Sequence, residues 1–149
     1  MANTFTAPFA QTPNRASAVA TTAVALTPNG VDSSATVTNS VLLATAGANG
    51  ALLTELYALP RATCTASQLC IWSSPDSGTT KYLVASALMG AYTMAATTQN
   101  VPTVFKHSDN STVISETNPL RLKAGESLYC GTLVTLATGI VFTAVYVDF

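Results

Sequence analysis

The stretch Lys106-His107-Ser108-Asp109-Asn110 holds the only histidine of the chain, next to a hydroxyl and a carboxylate. A Ser–His–Asp relay needs those groups to converge through space, with the imidazole between nucleophile and acid. Neighbouring residues of an extended chain point to opposite sides, so consecutive placement works against a relay. The expectation is a solvent-exposed histidine beside a polar turn over 108–111. A single imidazole also excludes a histidine-rich metal site. Structural zinc takes four ligands with close pairs such as C-x2-C, whereas Cys64 and Cys70 lie six apart and Cys130 is distant.

Two readings of the cysteines stay open. A three-residue loop over 66–68 would set Cys64 opposite Cys70, at a separation that suits a cross-strand disulfide. Alternatively, all three are buried thiols acting as small apolar residues. In a reducing cytosol any bridge would have to form after release.

Acid–base chemistry of the glycosidase kind needs paired carboxylates, and the seven acidic residues are spread singly. Only Glu55 lies inside an apolar run, "ALLTELYALP", where a charge requires a partner such as Arg61 or a second subunit. Neither G-x-x-x-x-G-K nor G-x-G-x-x-G occurs, so no phosphate loop is expected. Asn110-Ser111-Thr112 fits the glycosylation acceptor pattern, which is short enough to recur by chance. The single tryptophan, Trp72, reads as a core residue, with an interface or sugar-stacking role as the alternative. These residues predict a non-enzymatic protein without a cofactor.

Composition narrows the class further. The chain has 149 residues, enough for one domain with its own core. It is 48% hydrophobic but only 9% charged, against about 25% in typical soluble domains. Few like charges keep such molecules apart, which suits a subunit of an assembly better than a lone monomer. The net charge is −1 and the Lys and Arg residues are scattered, so no basic stripe exists for nucleic acid. The start, "MANTFTAPFAQTPN", lacks the positive charge and unbroken apolar run of a secretory signal. Ser127 to Val147 carries no charge over 21 residues, long enough to cross a bilayer. Its β-branched content and the turn-like "LATG" instead predict a hairpin, and no membrane partner is expected.

The elements that must position these residues read as strands. "TVTNSVLLATAG" and "ALLTELYALP" flank Asn49-Gly50, a strong hairpin signal. "SSPDSGTT" is turn chemistry leading into "KYLVAS". One short helix is expected near 84–91, where Ala, Leu and Met cluster. Pairing Leu122 with Leu128 across Ala124-Gly125-Glu126 would set Leu120 opposite Cys130 on the core face, with Arg121 and Tyr129 in cation–π contact on the other. "GIVFTAVYVDF" is apolar on both faces until Asp148. The sum is an all-β fold: a single β-sandwich or jelly-roll-like domain of about eight to ten short strands over 35–149.

Residues 1–34 form the expected extended N-terminal arm. Arg15 is its only charge before Asp32, Pro8, Pro13 and Pro28 break it, and Phe5 and Phe9 are its aromatic residues. One strand over 18–26 would fit. In isolation the arm buries too little to offset its ordering. Two readings follow: a disordered tail, or an arm lying on a neighbouring subunit through Phe5, Pro8, Phe9, Pro13 and Arg15.

Taken together, "MANTFTAPFAQTP", the Ala/Thr-rich arm, "LLATAGANGALLTELYALPRAT" and the ending "NPLRLKAGESLYCGTLVTLATGIVFTAVYVDF" resemble small virion proteins of tailed bacteriophages. The likeness is greatest to capsid decoration (cement) proteins. It implies a β-rich, often trimeric protein on the capsid surface, made in the host cytoplasm, whose termini reach across the major capsid protein. A tail or fibre component is the nearest alternative, and a secreted carbohydrate-binding β-sandwich built around Trp72 is the next.

Overall fold

A computed structural model describes residues 12–25, 37–107 and 112–149. The described residues form nine strands: β1 (Thr12–Ala20), β2 (Val41–Thr45), β3 (Ala51–Pro60), β4 (Ser67–Ser74), β5 (Tyr82–Met89), β6 (Thr103–Val104), β7 (Leu120–Leu122), β8 (Ser127–Thr132) and β9 (Ile140–Asp148). No helix occurs among the described residues. The strands form two antiparallel sheets, one ordered β1-β9-β3-β6 with β7 also on β3, the other β2-β8-β4-β5. The fold is an all-β sandwich.

Alternation along each strand builds the core. β9 turns Ile140, Phe142 and Ala144 inward, and β3 turns Leu53, Leu56 and Ala58 inward to join them. From the second sheet come Leu69, Ile71, Leu128 and Cys130. Phe105 packs on Phe142 with ring centroids 6.1 Å apart, a pairing that contributes about 0.5–1.5 kcal/mol beyond buried area. Ser67 and Thr132 are buried and share a 2.6 Å hydroxyl–hydroxyl hydrogen bond.

The turns hold surprises. Asn49-Gly50 does not close a hairpin: β2 pairs with β8 and β3 with β9, so the turn carries the chain between sheets. Ala124-Gly125-Glu126 likewise leads from β7, paired to β3, into β8 of the other sheet. The two arches brace each other through Ala46 N–H to Glu126 O (2.9 Å) and Gly125 N–H to Gly47 O (3.1 Å). Leu122 and Leu128 therefore face each other as core residues of opposite sheets, not as strand neighbours. The segment 127–147 also divides between sheets, with Leu136–Gly139 forming the turn and Gly139 at φ +77°. Among the described residues, the only hairpin joining consecutive strands of one sheet is β4–β5.

Three further expectations are corrected. Residues 82–89 are strand, not helix, because pairing with β4 and burial of Ala85 and Met89 override the helix preference of Ala, Leu and Met. Cys64 bridges to Tyr92 rather than facing Cys70, and residues 67 and 68 of the expected loop are already part of β4. The arm boundary also shifts. Within 1–34, residues 12–20 are an edge strand paired along its whole length with β9, so the strand lies earlier than 18–26. Pro13 is tolerated at its start because an edge strand needs only half its backbone groups paired.

Candidate partner interface

The second sheet has a partly covered outer face, on which Leu42 and Leu88 remain 50% and 76% exposed. After β1 the chain crosses it, with Ala23 bridging to Thr132 and Val24 N–H donating to Thr132 O at 2.8 Å. Val24 and Val37 thereby bury Cys70 and Trp72 in a small second core, flanked by Leu83, Tyr129 and Leu133. Trp72 is 0% exposed, so it offers no platform for a sugar. Its indole Nε1 has no acceptor among the described residues.

One end of this core is closed by the turn at 74–81. Asp76 Oδ1 accepts from Ser74 Oγ (2.9 Å) and Thr80 N–H (2.7 Å). These bonds favour the carboxylate and hold Asp76 below the usual carboxylate range, the Thr80 bond first among them. Lys81 Nζ donates to Gly78 O at 2.8 Å and lies 4.8 Å from the centre of the Tyr129 ring. The cation over Tyr129 is thus Lys81, while Arg121 sits in the other sheet. Burial lowers the Lys81 pKa, opposed by the nearby Asp76 charge.

Two of the three thiols, Cys70 and Cys130, are buried and inert as placed. Cys70 faces the small outer core and Cys130 the main core, on opposite sides of one sheet, and all three cysteines are free. Burial pushes Cys70 up to about 11 and Cys130 up to about 12. His107 is half-buried, not exposed, with Nε2 3.0 Å from Asn118 O; Ser108 and Asp109 lie outside the described residues. It borders an open cleft of about 560 Å3 beside Leu83, Ser86 and Leu88, whose lining among the described residues includes no acid. Among the described residues no cluster of His, Cys, Asp and Glu could hold a metal ion.

The outward face of the first sheet mixes half-buried apolar side chains with exposed Arg15, Glu55 and Arg121, and Thr143 at its centre is buried. Antiparallel register lines up four levels across it. Pro13, Val147, Leu52 and Arg121 make the first, and Arg15, Val145 and Glu55 the second. Ser17, Thr143, Tyr57 and Val104 make the third, and Val19, Val141 and Leu59 the fourth. Val104 and Val19 are 49% and 37% exposed, and an open cleft of about 330 Å3 continues the face between Tyr57, Leu59, Pro102 and Val113. A sandwich sheet normally presents polar side chains to water, and the half-buried valines along the outward side of β9 depart from that pattern.

A β-bulge puts Glu55 on this face. The β3–β9 register shifts between Leu53 and Glu55, so Leu53 and Leu56 both turn inward while Glu55 turns out, exposed. The expected need for a partner within the chain disappears, and Arg61 instead donates to Thr138 O. Of the arm residues expected to bind a partner, Pro13 and Arg15 belong to this face, and the Arg15 guanidinium reaches over β9 to donate to the Tyr57 hydroxyl. Phe5, Pro8 and Phe9 lie outside the described residues. Sequence reasoning missed the face as a whole; its signal was the apolar alternate positions Val141, Val145 and Val147 in a strand that needs only one buried side.

Compared with protein-family models, with curated proteins and with solved structures, the chain matches none.

Proposed function

We propose that this protein is a non-enzymatic structural subunit of a tailed-phage virion, a decoration protein that binds the head shell. The observation that carries this reading is the outward face of the first sheet, where half-buried valines and leucines lie among Arg15, Glu55 and Arg121. Together with a chain only 9% charged, it supports a surface that spends its working life against other protein. In this reading copies associate with one another and with the major capsid protein, and the N-terminal residues with Phe5, Pro8 and Phe9 add contacts to the shell. Many weak contacts repeated over a symmetric shell give strong net attachment.

The test is quantitative mass spectrometry of purified particles from the source phage. A copy number equal to the major capsid protein, or a simple fraction of it, supports a shell-covering protein. A handful of copies per particle moves it to the tail or fibre, and absence from particles overturns the virion reading. The carbohydrate-binding alternative is weakened by the burial of Trp72.

A further inference from the structure

The outward face of the first sheet matches itself. β9 runs up its middle, and at one level the register sets Arg15 and Glu55 on either side of Val145. Neighbouring strands lie about 4.8 Å apart, so the two charges flank β9 at equal distances. Both side chains are exposed. Arg15 uses part of its guanidinium on Tyr57 and keeps further N–H donors, since the group carries five. The Glu55 carboxylate has no hydrogen-bond or ion-pair partner among the described residues.

We propose that two copies of this chain pack face to face on this surface, about a two-fold axis parallel to β9. Rotation about such an axis preserves each level of the sheet and exchanges its two sides. Val145 then meets its own counterpart beside the axis, while Arg15 of one copy stands over the partner's Glu55. The reciprocal pair forms on the other side, so one positive and one negative residue yield two ion pairs. Sheets packed in this aligned manner sit about 10 Å apart with a small angle between strands. An arginine and a glutamate together span that gap, and a pair next to the axis is displaced little by the twist.

The area meets the lower bound. Four strands about 4.8 Å apart and nine residues of β9 at about 3.3 Å per residue give a face of roughly 500 Å2. Two such faces bury about 1,000 Å2, the threshold a biological interface should clear and below the usual range of about 1,200–2,000 Å2. The chain's own N-terminal residues are a poorer occupant. "MANTFTAPFAQ" contains no charged side chain and would cover Arg15 and Glu55 without a side-chain counter-charge for either. A trimer needs two different patches at each contact, whereas this patch pairs with itself.

The inference rests on the reading that this face is an assembly surface, and it names what covers it. The experiment is sedimentation equilibrium on the full chain, with thermal unfolding of each variant run alongside. The wild type is expected to be a dimer. Glu55→Arg and Arg15→Glu should each weaken dimerisation by about tenfold or more, because each sets like charges against each other at both pairs. The double variant Arg15→Glu/Glu55→Arg should return to within about threefold of wild type, since exchange regenerates the same pairs. A wild type that stays monomeric up to about 1 mM, the weak end of binding, overturns the dimer. So does a double variant no tighter than the single ones. A monomer that is nonetheless abundant in particles defeats the dimer alone, while a dimer absent from particles defeats only the virion reading.

Discussion

Gly131 on β8 and Val24 on the covering segment are in direct contact across the outer face of the second sheet. A Cβ at position 131 would lie 2.2 Å from Val24 Cγ2 and 3.2 Å from Trp72 Cζ3. The absence of a side chain at one position is what lets another segment lie flat on the sheet and bury the tryptophan.

Gly131→Ala should therefore destabilise the protein by about 1–3 kcal/mol, as overpacking does in close-packed interiors. Urea unfolding measures it. Val24→Ala in the same chain should recover part of the loss, because it vacates the space the new methyl enters. No change in midpoint for Gly131→Ala would mean that Val24 does not lie on the sheet.

β1 should be essential to the sandwich. A chain starting at Thr12 retains β1; one starting at Thr21 uncovers the whole edge of β9 and loses buried Ala20. Going from the first truncation to the second should lower the thermal midpoint by roughly 10 °C or more, equivalent to a few kcal/mol for a domain of this size. Equal midpoints would return residues 12–20 to the status of a dispensable arm.

The turn at 74–81 should make stability fall in acid. Hydrogen bonds from Thr80 and Ser74 depress the folded-state pKa of Asp76 below its ordinary value of 3.8. Its contribution is therefore complete above that value and lost as the pH falls through it toward the folded-state pKa. Asp76→Ala should be less stable than wild type at pH 6, and the gap should close below about pH 4. A gap that stays constant down to pH 2 would remove the carboxylate from the account.

Thiol titration separates the cysteines. Cys70 and Cys130, pushed up to about 11 and about 12 by burial, are protonated and covered at neutral pH, and should not react with a thiol reagent in the native protein. Half-buried Cys64 should react first. All three of the chain's cysteines should titrate once it is unfolded without reductant. Fewer than three would reveal a disulfide.

Several features were legible from local residues. The all-β class followed from β-branched runs and frequent turn residues, and Gly139 in "LATG" and Ser77-Gly78 in "SSPDSGTT" do adopt positive φ at their turns. Trp72 was expected in a core and is in one. Pairing was less legible, because the same alternation that buries Leu122 and Leu128 side by side in a hairpin also buries them face to face across a sandwich. An arch and a hairpin differ in where the hydrogen bonds go, and turn chemistry at 124–126 does not encode that. The helix expected at 84–91 failed for a related reason: propensity contributes tenths of a kcal/mol per residue, and the β4 ladder with buried Ala85 and Met89 outweighs it.

By itself the sequence determined that this chain forms strands, roughly where they lie, and that few groups exist for catalysis, since composition, alternation and turn residues act over a few neighbours. The tertiary structure alone decided which strands share a sheet. It also decided that residues 12–20 belong to the sandwich, that Val24 roofs Trp72, and that Glu55 turns outward level with Arg15. Each of these depends on contacts between residues far apart in the chain. Their energies appear only when the two sheets close on one core and leave one valine-lined face uncovered.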